Sequence, residues 1–153
     1  INDHWGYSAN DVNHKSTRQL IHYLVRSASA NANYLLNVGP TPLGEILPIH
    51  AQRLRQMGEW LRANGESIYG TRAGKIAATA DTVCTSKGDV HYVHSLNYVS
   101  DCVKLKDVVG DYAATLVKDG SAVKAERNGN DLVLTIAPEQ RDSFDTVVKL
   151  VRV

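Results

Sequence analysis

Apolar residues recur at three- and four-residue spacing up to about residue 70, and beyond it they alternate in short runs between turn residues. Residues 1–15 are polar and aromatic with no usable period, and read as a loop. Ser16 or Thr17 then caps a helix whose stripe is Leu20, Ile21, Leu24, Val25 and Ala28. The stripe gives out in Ser29-Ala30-Asn31-Ala32-Asn33. Tyr34 to Val38 is a short apolar run ending at Gly39-Pro40, the pattern of a buried strand and its exit turn. Pro48 suits the first position of a second helix, marked by His50, Leu54, Met57 and Leu61 with Trp60 beside the stripe. Asn64-Gly65 closes it, with the glycine as a left-handed cap.

Helix, strand, loop, helix is the order of a parallel α/β architecture. One strand cannot make a sheet, so residues 1–70 are expected to belong to a larger α/β unit. From residue 71 the pattern is β. Strands are expected at Lys75–Thr79, Val90–Leu96, Val103–Val108, Ala113–Val117, Leu132–Ile136 and Thr146–Val153. Asp119-Gly120 and Asn128-Gly129-Asn130 supply turn chemistry between them. This spacing predicts an antiparallel β-sandwich over residues 71–153.

Composition changes this picture little. Hydrophobic residues at 43% and charged residues at 22% are globular values. A formal net charge of +1, with Lys and Arg scattered, gives no field that favours nucleic acid or an anionic membrane. No apolar run approaches the ~20 residues of a transmembrane helix. Neither partner is therefore expected. Cys84 and Cys102 read as free thiols of a reducing compartment. No signal peptide is visible, and the start at Ile1 in mid-motif is what a fragment would show.

Four stretches together resemble the family 29 α-L-fucosidases. They are Ile1-Asn2-Asp3-His4-Trp5-Gly6-Tyr7, Asn31 to Pro40, Gly58 to Arg72, and Asp142-x-x-Asp145-Thr146-Val147-Val148. Each is short, but their order and spacing are specific and run through essentially the whole chain. The resemblance implies the terminal αβα portion of a (β/α)8-like barrel, residues 1–70, followed by the antiparallel β-sandwich, residues 71–153. It also implies retaining hydrolysis of terminal α-L-fucose from fucosylated glycans, or of an aryl fucoside, with no metal or organic cofactor. That chemistry uses two carboxylates about 5–5.5 Å apart. In the family the nucleophile is an Asp on a central barrel strand, far upstream. In many members the acid/base is a Glu a few residues before the stretch matching Ile1. Neither maps onto a position here, so the resemblance implies a chain without catalytic residues, inactive alone.

What stays near the sugar is the loop from Asp3 to Tyr7, since barrel enzymes carry their chemistry on loops at the C-terminal ends of strands. Trp5 and Tyr7 suit stacking on the apolar face of fucose; the competing reading is that they pack the loop onto the barrel rim. His4 reaches sugar hydroxyls or stays solvated. Asn37 faces the same end, where a loop hydrogen bond is the simpler role, and Gly39 is read for backbone geometry. Asp3 and Asp11 are the only acids of this loop, with no partner acid placed by sequence. The six histidines show no metal-ligand spacing, and His91 and His94, three apart on a strand, point to opposite faces.

Three arrangements stay open on the residues alone. The chain is a piece of one enzyme, or a subunit completed by a missing N-terminal barrel chain or by self-association, or a carbohydrate-binding sandwich using Tyr92, Tyr98 or Tyr112. Linkage specificity is not readable. The compartment stays open between the bacterial cytoplasm and export on a signal outside this chain.

Overall fold

A computed structural model describes residues 1–98 and 100–153. Helix α1 (Thr17–Ser29) starts where the sequence places its cap. Ser16 Oγ accepts from the Gln19 amide, and the Gln19 side chain accepts in return from the Ser16 amide at 2.8 Å. Leu20, Ile21 and Val25 on its stripe are fully buried.

Helix α2 (Pro48–Asn64) starts at the expected proline. Its buried side is His50, Met57, Trp60 and Asn64, while Leu54 is 40% exposed. The stripe is thus rotated toward Trp60 from the one expected. Gly65 is also not a left-handed cap. Its φ is −61°, it opens a 3-10 turn over Gly65–Ser67, and the left-handed residue is Gly70 at φ 72°. Close approach is what demands glycine at 65, because a Cβ there would stand 2.7 Å from the Tyr69 ring.

The remaining strands are β1 (Arg72–Ala73), β2 (Thr82–Lys87), β3 (Val90–Ser95), β4 (Cys102–Leu105), β5 (Tyr112–Leu116), β6 (Lys124–Asn128), β7 (Asp131–Thr135) and β8 (Thr146–Arg152). One antiparallel sheet runs β1-β2-β3-β8-β5 and a second runs β4-β7-β6, which makes the expected sandwich. Three strands, β1, β2 and β6, have no counterpart in the sequence reading. Lys75–Thr79 forms no strand and leads into β2, whose Thr-Val-Cys-Thr-Ser-Lys run carries too few apolar residues to alternate visibly. β6 is largely charged and exposed, as an edge strand of the small sheet should be.

The large sheet is buried on both faces. Val83, Tyr92 and Val147 face the helices and pack with Ile21 and Trp60. Cys84, Val93 and Val148 face the small sheet and pack with Leu116 and Leu134. Helices, large sheet and small sheet are therefore three layers around two cores. Tyr34–Val38 is the exception to the α/β pattern. It forms no β-ladder among the described residues, and Leu35 is 76% exposed. A strand exists only through pairing, and among the described residues the Ile1–Tyr7 loop beside this segment makes isolated contacts with residues 37–39 and no ladder.

A polar seam joins the helix layer to the large sheet. His94 Nδ1 lies 2.7 Å from Asp145 Oδ2, both side chains wholly buried. Trp60 Nε1 donates to the Asp145 carbonyl at 3.0 Å, and Thr85 Oγ1 donates to the Ser67 carbonyl at 2.6 Å. Having given its only proton to Ser67, Thr85 can only accept from His94 Nε2, 3.3 Å away. His94 thus bridges Asp145 and Thr85 through its two ring nitrogens. Apart from Oδ1 of Asp145, which has no partner, the seam is closed.

Candidate functional site

Asp11 organises the first loop. Its Oδ2 accepts from Asn2 Nδ2 at 2.8 Å and from the amides of Asp3 and His4 at 3.0 Å each, and lies 2.8 Å from His4 Nδ1. Oδ1 accepts from the Asn13 amide at 3.3 Å. The bond to His4 leads these in holding the Asp11 carboxyl well below the usual carboxylate range. Oδ2 is thereby committed to holding the loop.

The loop is seated on residues 37–39. The Ile1 backbone nitrogen donates to the Asn37 carbonyl at 2.8 Å, and Asn37 Nδ2 donates to the Trp5 carbonyl at 2.5 Å. A Cβ at Gly39 would stand 2.7 Å from Gly6 C and Tyr7 N, so the two backbones touch there. Asn37 and Gly39 are thus both engaged in seating the loop.

The frame leaves three side chains turned outward. Trp5 is 73% and Tyr7 40% exposed, and the His4 side chain is 67% exposed. With Nδ1 held on a carboxylate, the free atom of the His4 ring is Nε2. Asp3 accepts from Asn13 Nδ2 at 2.8 Å and lies 3.7 Å from Lys15 Nζ. Beside the loop is a mostly apolar cleft of about 280 Å³, bounded by Ile1, Trp5, Tyr23, Tyr34 and Leu36. The Tyr34 hydroxyl is buried there without a partner; burial, then the neighbouring Tyr23, pushes its phenol up.

Comparisons with known proteins agree along the chain. A family model described as α-L-fucosidase matches residues 1–66. Tissue α-L-fucosidase of Bos taurus is 40% identical over 61% of this chain, and that of Homo sapiens 39% over 61%. α-L-fucosidase isoenzyme 1 of Paenibacillus thiaminolyticus superposes on the whole chain with a TM-score of 0.92 at 35% identity. This chain belongs to the family 29 α-L-fucosidases.

Within that family, Thermotoga maritima α-fucosidase in complex with a mechanism-based inhibitor matches 99% of this chain at 29% identity, with a TM-score of 0.87. The chain spans 21% of the length of the curated relatives and 38% of the two solved fucosidases, on their C-terminal side. Among the residues named from sequence, His4, Trp5 and Asn37 come together around the cleft, and Tyr7 stands at the Gly39 contact. Sequence reasoning weighed Asp11 as an acid and missed it as the loop's hub. The legible signal was Asp11-Val12-Asn13, an Asx pattern in which a carboxylate bonds the amide two residues on. The other histidines are dispersed. His14 Nδ1 meets His50 Nε2 at 3.1 Å, His22 meets the Phe144 carbonyl, and His91 and His94 lie on opposite faces of the large sheet. Among the described residues no three His, Cys, Asp or Glu side chains group as metal ligands, and no helix is long and apolar enough to cross a membrane.

Proposed function

We propose that the chain is the rim and scaffold of a retaining α-L-fucosidase that releases terminal α-L-fucose from glycans, with nucleophile and acid/base supplied from outside these residues. Residues 1–70 form the last portion of the catalytic barrel, and residues 71–153 form the sandwich that braces it. The observation that carries this reading is the Asp11-held loop. Both of its acids are engaged in holding the loop, while an indole face and an imidazole Nε2 stand outward beside an apolar cleft. In this role Trp5 covers the apolar face of fucose with its C6 methyl, and His4 Nε2 accepts from a ring hydroxyl. Retaining hydrolysis needs a second carboxylate within about 5–5.5 Å of the first, and this loop offers no free pair.

The chain alone, purified and assayed with a nitrophenyl α-L-fucoside, should release no nitrophenol above buffer. Saturable turnover by a homogeneous preparation overturns the proposal.

A second feature bears on how the active unit is completed. Leu35 and Leu43 are 76% and 85% exposed, and the Tyr34–Val38 segment lacks ladder partners among the described residues. A companion barrel segment supplies those partners in this reading, with copies of this chain as the alternative cover. Native mass spectrometry separates the two. A monomer near 16.8 kDa leaves the segment uncovered in the isolated chain, whereas closed oligomers favour self-association.

A further inference from the structure

At the far end of the sandwich, away from the Asp11 loop, a cleft of about 600 Å³ opens between the β2–β3 turn, the β4–β5 connection and the end of β8. Three cations border it: Lys75, Lys106 and Arg152. Among the described residues none of the three has a hydrogen-bond or ion-pair partner, although Lys15, Lys104, Arg127, Arg141 and Lys149 all do. Arg152 is also placed. Its guanidinium lies over Gly110, where a Cβ would stand 3.0 Å from Nε, and Gly110 has φ 101°. The absence of a side chain at Gly110 is what lets the guanidinium approach the backbone there.

The inner wall carries a second sign of an unmet ligand. His91 is 6% exposed, and its Nδ1 is buried without a partner. Burial, then Lys75, lowers its pKa. Tyr112 meets the His91 ring edge-on at 6.0 Å between centroids, and its hydroxyl donates to the Val109 carbonyl. Tyr112 therefore presents a fixed aromatic surface, with Val109, 80% exposed, at the rim. Asp89 and Asp107 also border the cleft, and neither carboxylate has a protein donor among the described residues. Aromatic surface, carboxylate acceptors and unpaired cations together are the chemistry that holds a sugar ring and an anionic substituent.

We propose that this cleft is a second saccharide site, which takes a sugar bearing a sulfate or carboxylate. The ring lies against Tyr112 and Val109, Asp89 and Asp107 accept from its hydroxyls, and Lys75, Lys106 and Arg152 hold the oxyanion. From the proposed function this takes only that the ligand is a saccharide.

Amide chemical shifts of the isotope-labelled chain test it, with four probes: a sulfated fucose, glucuronic acid, neutral fucose and inorganic sulfate. Expected are shifts at Ile76, His91, Lys106 and Arg152, with at least one acidic sugar binding about tenfold tighter than both neutral fucose and inorganic sulfate. The tighter of the two acidic sugars identifies the substituent. The double variant Lys106→Gln/Arg152→Gln should lose that tenfold preference; both side chains are exposed, so the fold is retained. No shifts at these residues, equal binding of inorganic sulfate or neutral fucose, or an unaffected double variant each overturns the proposal. Binding is read here without turnover, so this result and the fucoside assay fail independently.

Discussion

Among the described residues are two His–Asp pairs of nearly equal length and opposite setting. His4 and Asp11 meet at 2.8 Å with the imidazole 67% exposed, and His94 and Asp145 meet at 2.7 Å with both side chains at zero exposure. In the first pair the carboxylate is also fixed by backbone amides, and one edge of the imidazole is left for solvent or ligand. In the second the imidazole is bonded on both edges, and the pair ties α2 to the large sheet through Trp60 and Thr85. The same two side chains thus present a group in one place and close a seam in the other. Burial and the remaining partners decide which.

The largest effect is expected from opening the buried pair. Asp145→Ala leaves His94 Nδ1 buried without its hydrogen-bond partner, and orphaning a buried polar group costs about 1–3 kcal/mol. Urea unfolding should show this as a lower midpoint, and His94→Asn should fall in the same direction. Asp11→Asn is expected to shift the global midpoint less than Asp145→Ala while raising amide exchange over residues 2–13, because its bonds stay within one loop. Equal midpoint losses would remove the distinction between the pairs.

The smallest effect is on pH dependence. His50 is lowered from 6.5 by burial and then by His14, and His91 is lowered by burial and then by Lys75. As pH falls through about 6.5 the unfolded chain takes protons that these folded imidazoles refuse, so stability falls. Asp11 is lowered from 3.8, so its contribution is held above that pH and lost as acid protonates the folded carboxyl. Urea midpoints should therefore decline in two stages on acidification, and Asp11→Asn should blunt only the second.

Local chemistry was legible in the sequence, and pairing was not. The Ser16 cap and the Pro48 start depend on neighbours within one turn, and both stand as expected. The phase of α2 depends on what it packs against, which is why Trp60 and Asn64 are buried while Leu54 is not. β6 escaped notice because an edge strand needs no apolar alternation, and Tyr34–Val38 was read as a strand because its composition carries no information about who pairs with it. At the site, Asn37 and Gly39 were readable as loop supports. Asp11 was not, since accepting from residues 2, 3, 4 and 13 at once is a property of the closed loop and not of any window of sequence.

The central claim is that the Asp11-held loop faces the sugar while the buried pair serves only stability. Grafting this chain in place of the matching 38% of the Paenibacillus thiaminolyticus enzyme gives a complete barrel in which to measure it. Within an active chimera, Trp5→Ala should lower kcat/KM for a nitrophenyl α-L-fucoside by about tenfold or more, the loss of one stacked aromatic contact of about 1.4 kcal/mol, and leave the Tm unchanged. A Trp5→Ala chimera that turns over fucoside as the unsubstituted chimera does would contradict it.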